Sequence, residues 1–155
     1  MLMSNDYRMS TVTQYAGSEI GVSDWIEISQ NRIDLFAECT GDHQWIHTDV
    51  ERCRAESPYG APIAHGFLSL SMLAKLLFDV GIVPQDAGRA INAGLSDVRF
   101  RAPVRANSRI RARVKLDAAS PKSEGRILLL VSAVLEIENE KEPALQAQIA
   151  VMLLP

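Results

Sequence analysis

The sequence predicts an α+β fold, with helices early, a sheet late and one long helix packed against that sheet. Three observations predict it. Residues 65–81 are apolar on nearly every face, residues 109–116 alternate strictly, and residues 127–137 and 144–154 are apolar runs separated by a charged turn at 138–143. The chain has 155 residues, 47% of them hydrophobic and 23% charged, which excludes collagen, coiled coil and a disordered tail. A chain of this length buries one core comfortably, so a single domain over residues 15–155 is expected, with residues 1–14 a loosely held N-terminal tail.

The elements follow in chain order. In residues 29–41, Ile33, Phe36, Ala37 and Thr40 keep helical spacing, Ser29 can cap the helix and Gly41 can stop it. Thr48-Asp-Val-Glu51 has the pattern of a capping box and opens a short helix running towards the turn Ser57-Pro58-Tyr59-Gly60. The apolar residues 65–81, closed by Gly81, read as a central helix enclosed on most sides. From residue 90 onward the pattern is strand-like. Arg109-Ile-Arg-Ala-Arg-Val-Lys-Leu116 gives a strand with one cationic face and one core face. The last two apolar runs are long enough to be the middle strands of an antiparallel sheet.

Sixteen Lys and Arg against nineteen Asp and Glu give a formal charge of −3, which argues against a nucleic-acid partner for the chain as a whole. Seven of the basic residues (Arg99, Arg101, Arg105, Arg109, Arg111, Arg113, Lys115) nevertheless share one window that contains no acid. Such a row reads first as a solvated strand face, and second as a patch for an anionic ligand. The longest uncharged stretch, residues 57–74, holds Pro58, Pro62, His65 and several hydroxyls, so no membrane span is expected. The N-terminus carries Asp6 and Arg8 and has no apolar core segment, so no signal peptide is expected either. Cys39 and Cys53 do not form a CxxC pair and are expected as reduced thiols in a cytoplasmic protein.

The chemistry-bearing residues concentrate in Thr40-Gly-Asp-His-Gln-Trp-Ile-His-Thr-Asp49. Asp42 and His47 lie five residues apart in a loop that leaves a helix at a glycine, where a carboxylate and an imidazole can converge on one small molecule. They are the acid and base candidates, able to hold one water and move its proton. Capping or core roles for both remain open. The second feature is His65-Gly66 at the start of the apolar helix. Free amides at a helix N-terminus carry partial positive charge, and Gly66 has no side chain to block approach, so a carbonyl oxygen can rest there as in an oxyanion site. A turn or close-packing role for the glycine also stands open.

The ordered set Asp24-Trp25, Asp34-Leu-Phe-Ala37, Thr40 to Asp49, Pro58-Tyr-Gly-Ala-Pro-Ile-Ala-His-Gly-Phe-Leu-Ser-Leu-Ser71 and Asn92-Ala-Gly-Leu-Ser-Asp-Val-Arg-Phe100 resembles the MaoC-like (R)-specific enoyl-CoA hydratases, over about residues 15–150. The resemblance implies a hotdog fold, a curved antiparallel sheet wrapped round a long helix, and a homodimer with its acyl-CoA tunnel near the subunit interface. It implies that Asp42 and His47 bind the water added to a trans-2-enoyl thioester and that the Gly66 amide holds the thioester carbonyl. Asp42 is then the base for the water, and His47 orients it and delivers the proton to C2. The product would be (R)-3-hydroxyacyl-CoA, in fatty-acid metabolism or polyhydroxyalkanoate supply. Neither metal nor organic cofactor is implied. The alternatives are a 3-hydroxyacyl dehydratase acting on acyl carrier protein and a non-catalytic acyl-CoA-binding hotdog subunit.

Two positions depart from the family pattern. A serine eight residues beyond the glycine supports the dyad in one branch, but Ala74 stands there, leaving Ser71 as the substitute. Asn92 is followed by Ala93 where close relatives carry tyrosine, which implies a roomier acyl pocket. Ser71, Asn92 and Phe67 are therefore the candidate substrate-binding residues. His43 and His47, flanked by Asp42 and Asp49, suggest a metal only weakly, because no third ligand has suitable spacing. For the arginine row the phosphates of CoA are the anionic partner to weigh against solvent.

Overall fold

The computed structural model describes residues 6–155. Its elements run β1 (Glu19–Val22), β2 (Ile26–Ile28), α1 (Gln30–Thr40), α2 (Trp45–Thr48), α3 (Val50–Glu56), α4 (Gly66–Asp79), β3 (Arg89–Phe100), β4 (Ser108–Pro121), β5 (Ile127–Ile137) and β6 (Leu145–Leu154). The strands form one antiparallel, curved sheet in the order β1-β4-β5-β6-β3, with β2 pairing the far end of β4. No helix among the described residues is long and apolar enough to cross a membrane.

The period-two pattern of β4, β5 and β6 sends one face of each strand inward. Ile110, Ala112, Val114 and Leu116 of β4 are buried, and β5 alternates buried and half-buried along its whole length. α4 packs on that inner face through Leu68, Met72, Leu73, Leu76 and Leu77. Burying a side chain of that size is worth about 1.5–3 kcal/mol, so these five side chains are a substantial part of the core's stability.

The outer face carries the basic row, and acids on β1, on β5 and just beyond it, and on β4 itself meet it. Glu136 of β5 binds Arg111 at 2.6 Å and Arg113 at 3.0 Å, Glu138 binds Arg109, Glu19 binds Arg113, and Asp117 binds Lys115. These exposed and half-exposed pairs each contribute little, but they leave β4 with a neutralised surface in place of a free cationic patch.

Four expectations need correction. Residues 6–18 are held in place, while residues 1–5 of the expected tail lie outside the described residues: Tyr7 and Val12 are buried, the Tyr7 hydroxyl donates to the Ile82 carbonyl at 2.9 Å, and the Met9 amide donates to Asp86. Two strands too short to show periodicity, β1 and β2, precede the helices. The cap of α3 is Asp49, one residue later than Thr48, because its carboxylate accepts the Arg52 amide at 2.9 Å. Finally, α4 is enclosed on one face only in the single chain, since Phe67, Ser71, Ala74 and Phe78 are exposed.

Candidate active site

The site forms where α1 ends and α4 begins. Ser29 caps α1 by accepting the Arg32 amide, and Gly41 ends it in the left-handed region at φ 78°, with its own amide donating to Ala37 at 2.8 Å. Only a residue free of Cβ strain takes that conformation readily, so the chain turns sharply and delivers Asp42 directly after the helix. The next turn, α2, carries His47. An extended segment then runs back past it: Ile63 donates to Ile46 at 3.0 Å, Ala64 donates to Val104 at 2.7 Å, and Ala106 donates to Pro62 at 2.8 Å. That segment leads straight into α4 through His65 and Gly66.

His47 is buried, at 6% exposure, and its Nδ1 lies 2.6 Å from the Ile63 carbonyl oxygen. A carbonyl can only accept, so Nδ1 carries a hydrogen and the lone pair of the neutral ring is on Nε2. Burial holds the His47 pKa below the usual imidazole range; the bond to Ile63 and the Asp42 carboxylate oppose that shift, and the neighbouring His65 adds to it. The backbone oxygen of His47 accepts from the Gln30 side chain at 2.8 Å, which ties α2 to the first turn of α1.

Asp42 is held differently. Its Oδ1 accepts the Gln44 side-chain amide at 3.1 Å and the Gln44 main-chain amide at 3.4 Å. The Gln44 side chain is the chief reason its carboxyl sits below the ordinary carboxylate range; partial desolvation opposes that, and His65 and His47 assist it.

His65 completes the cluster; the sequence marks it only as the neighbour of Gly66 and gives its ring no role. It is 3% exposed, its ring stacks on His47 with centroids 3.8 Å apart, and its Nε2 lies 2.9 Å from the Asp42 carbonyl oxygen. One polar atom from each of Asp42, His47 and His65 falls within a set whose members lie within 4.8 Å of one another. A third donor therefore exists, but the two imidazoles are stacked at an interplanar angle of 27°. Their in-plane lone pairs run along nearly parallel planes, an arrangement better suited to hydrogen bonds than to a shared ion. The metal constellation weighed from spacing does not assemble: His43 faces Glu38 at 3.8 Å, and Asp49 caps α3.

Gly66 is the first residue of α4, and no side chain caps that end of the helix. The first-turn amides therefore lack side-chain acceptors and retain their partial positive charge. A Cβ at residue 66 would stand 3.1 Å from Phe100 Cε1, so the glycine also allows a close approach of that ring. Phe67 is 70% exposed beside it and meets Phe100 edge-on at 6.2 Å.

The remaining candidates stand on α4 and β3. The Ser71 hydroxyl donates to the Phe67 carbonyl at 2.7 Å on the exposed side of α4, and Asn92 is exposed at an irregularity of β3. Neither hydrogen-bonds to Asp42 or His47 among the described residues. Three further site residues escaped sequence reasoning: His65, Gln44 and Gln30. Gln44 had a local signal, an amide two residues beyond an aspartate, whereas the contacts of His65 and Gln30 span 23 and 17 residues.

Comparison with known proteins adds three findings. Residues 11–133 match the family profile described as the MaoC like domain. The chain is 44% identical over 133 residues to the 3-hydroxyacyl-thioester dehydratase Z of Mycobacterium tuberculosis, covering 86% of this chain and 87% of that protein. It is 40% identical over 143 residues to the nodulation protein N of Rhizobium leguminosarum bv. viciae, covering 92% and 89%. Among solved structures, the (R)-hydratase from A. caviae involved in PHA biosynthesis superposes with a TM-score of 0.71 at 21% identity, over 90% of this chain and 96% of that one. The monoamine oxidase regulatory protein of Archaeoglobus fulgius gives a TM-score of 0.79 at 23% identity, over 99% and 97%. At these identities both structures speak to the fold alone.

Proposed function

The chain belongs to the MaoC-like dehydratase family of hotdog hydro-lyases, and from that premise we propose that it adds water reversibly across the double bond of a trans-2-enoyl-CoA to give the (R)-3-hydroxyacyl-CoA. One observation carries the reading. A carboxylate and an imidazole with a bare Nε2 converge within 4.8 Å, next to the residue that precedes the uncapped N-terminus of α4.

In this reading one water lies between the Asp42 carboxylate and His47 Nε2, each accepting one of its O–H groups. As the water oxygen bonds to C3, the electron pair of the double bond moves onto the thioester oxygen, where the Gly66 amide and its first-turn neighbours stabilise the enolate. Removing one such donor typically costs about 2.7–4 kcal/mol of transition-state stabilisation. The proton leaving the water goes to His47 Nε2 and returns to C2 as the enolate collapses. Here His47 takes the base role in place of Asp42, because an imidazole is ordinarily a stronger base than a carboxylate and the Gln44 bonds weaken Asp42 as a base further. Asp42 is left to orient the water.

A second copy of the chain belongs to the same reading. β3 is an edge strand, paired only with β6 among the described residues, and it exposes Ile91, Leu95 and Phe100. With Phe67 and Phe78 of α4 also exposed, this apolar edge fits isologous pairing of β3 with its twofold mate, giving a homodimer. A CoA thioester substrate and free thiols at Cys39 and Cys53 suit a cytoplasmic setting.

The test follows loss of the conjugated enoyl absorbance with crotonyl-CoA, longer enoyl-CoA esters and an enoyl thioester of acyl carrier protein, with chiral analysis of the product. Wild type should form the (R)-alcohol from the CoA esters, and Asp42→Asn and His47→Gln should each lose about 10²-fold or more. Normal turnover in both variants would overturn the assignment.

A further inference from the structure

We propose that His65 is a positioning residue that aligns the Asp42–His47 pair against the N-terminus of α4. The inference rests on the hydratase reading given above, and it goes beyond the pair to a side chain that need not touch substrate.

Four contacts support it. The Nε2–H of His65 donates to the Asp42 main-chain oxygen at 2.9 Å, fixing the loop that carries the carboxylate. Its ring stacks on His47 at 3.8 Å and meets the Phe36 ring at 5.0 Å and 51°, so both α2 and α1 bear on it. Its own carbonyl accepts the Ser69 amide at 3.1 Å, which makes it the residue from which α4 starts. One side chain thus links the aspartate loop, the histidine turn and the oxyanion end of the helix, three parts that must keep their spacing for a water and a thioester to meet.

The buried chemistry of the ring points the same way. His65 Nδ1 is buried and has no hydrogen-bond partner among the described residues. An apolar side chain of the same size would fill the space without an orphaned nitrogen. What the imidazole supplies and such a side chain lacks is a donor to Asp42 on a ring flat enough to stack on His47. A shift of about 1 Å in groups of this kind can change a rate about 10²-fold.

The experiment compares His65→Phe, which keeps a ring and loses the donor, with His65→Gln, which keeps an N–H near the Nε2 position. Steady-state kinetics with crotonyl-CoA are measured beside urea denaturation, and the His47 ring is titrated by NMR in the folded proteins. The groups facing His47 are His65 and Asp42, with the Ile63 carbonyl on Nδ1. The expected result for His65→Phe is a kcat lower by about 10²-fold, KM within about twofold, and a His47 titration moved to higher pH. His65→Gln should recover at least about tenfold of the kcat but not the titration. Wild-type kcat in His65→Phe would overturn the proposal, as would an equal loss in both variants that tracks their loss of stability. Should His65→Phe not fold, kcat, KM and titration of His65→Gln alone decide: an unmoved His47 titration overturns the proposal. Wild-type protein that hydrates no enoyl thioester would defeat the hydratase reading by itself, while the NMR titration still reports whether His65 acts on His47.

Discussion

His47 donates its Nδ1 hydrogen to the main-chain oxygen of Ile63 across 2.6 Å, so the tautomer of the ring is set by the segment that leads into α4. The consequence is a pH dependence. In the proposed mechanism the reactive form is the neutral ring, and burial holds the His47 pKa below the ordinary imidazole value, with His65 contributing and Asp42 opposing. The acid limb of kcat/KM therefore falls below about pH 6.5, the unperturbed histidine value. Activity is flat through neutrality and declines tenfold per pH unit only further into acid. A limb centred at or above the ordinary value would show that another group governs the step.

Gly66 and Phe100 make a second pair whose roles can be separated. A methyl group at residue 66 would lie 3.1 Å from Phe100 Cε1, so Gly66→Ala disturbs both the ring and any oxygen approaching the amide. kcat/KM is expected to fall about 10²-fold in Gly66→Ala. In Gly66→Ala combined with Phe100→Ala, the ring contact is gone but the methyl still obstructs the amide, so the loss should persist relative to Phe100→Ala alone. Full recovery in the double variant would reduce Gly66 to a packing role.

Gln44 controls Asp42. Its side chain is the largest cause of the lowered Asp42 pKa, so Gln44→Ala should move the carboxyl titration up towards the ordinary value, read by carbon NMR of the side chain. The sign for stability follows: a carboxyl with a depressed folded pKa stabilises the fold above its unfolded value, and that contribution disappears as pH falls through the folded one. The stability difference between wild type and Gln44→Ala should therefore shrink on acidification. An unchanged Asp42 titration would show that the hydrogen bond at 3.1 Å does not form in solution.

Much of this was legible in the sequence because it is local. The strand Ile127–Ile137 repeats with period two over its full length, and it appears with those bounds as β5. Asp42 and His47 stand in one loop with a helix-stopping glycine before them, so spacing alone brings them together. What escaped depends on distant partners or on very short elements. β2 has three residues, too few for any period to register. Nothing near His65 reveals that its ring lies on His47, because that contact exists only once the segment around Ile63 has folded back against α2. The acids that pair the three arginines of that strand are likewise distant in sequence, with Glu136 reaching Arg111 from 25 residues away. For Ser71, helix position alone does not reveal that its hydroxyl turns back onto Phe67.

Tyr7 shows what the segment before β1 contributes. Its hydroxyl is buried and donates to the Ile82 carbonyl at 2.9 Å, and the same burial pushes the phenol pKa well up. Tyr7→Phe keeps the ring packing but leaves that carbonyl unpaired, for an expected loss of about 1–2 kcal/mol. In a domain of this size each kcal/mol corresponds to about 2–4 °C in Tm. Urea denaturation and a thermal scan should both report it, with turnover unchanged at low temperature. Wild-type stability in Tyr7→Phe would mean that the segment is held by apolar contact alone.

Leu95 gives the test of assembly. It is 56% exposed in the middle of β3, on a strand whose outer edge has no partner among the described residues. If two copies join there, their twofold axis brings each copy's β3 against the other, and a lysine introduced at residue 95 lies in or beside a buried antiparallel pair. Like charges brought so close are repulsive, and burying them costs more than the apolar contact returns. Leu95→Lys is therefore expected to run as a monomer in light scattering where wild type runs at twice the chain mass, with unchanged far-UV circular dichroism. Because the family resemblance implies an acyl-CoA tunnel near the subunit interface, turnover should fall with the dimer fraction as the variant is diluted. A wild-type monomer, or a Leu95→Lys variant that remains dimeric at low concentration, would remove β3 as the site of pairing.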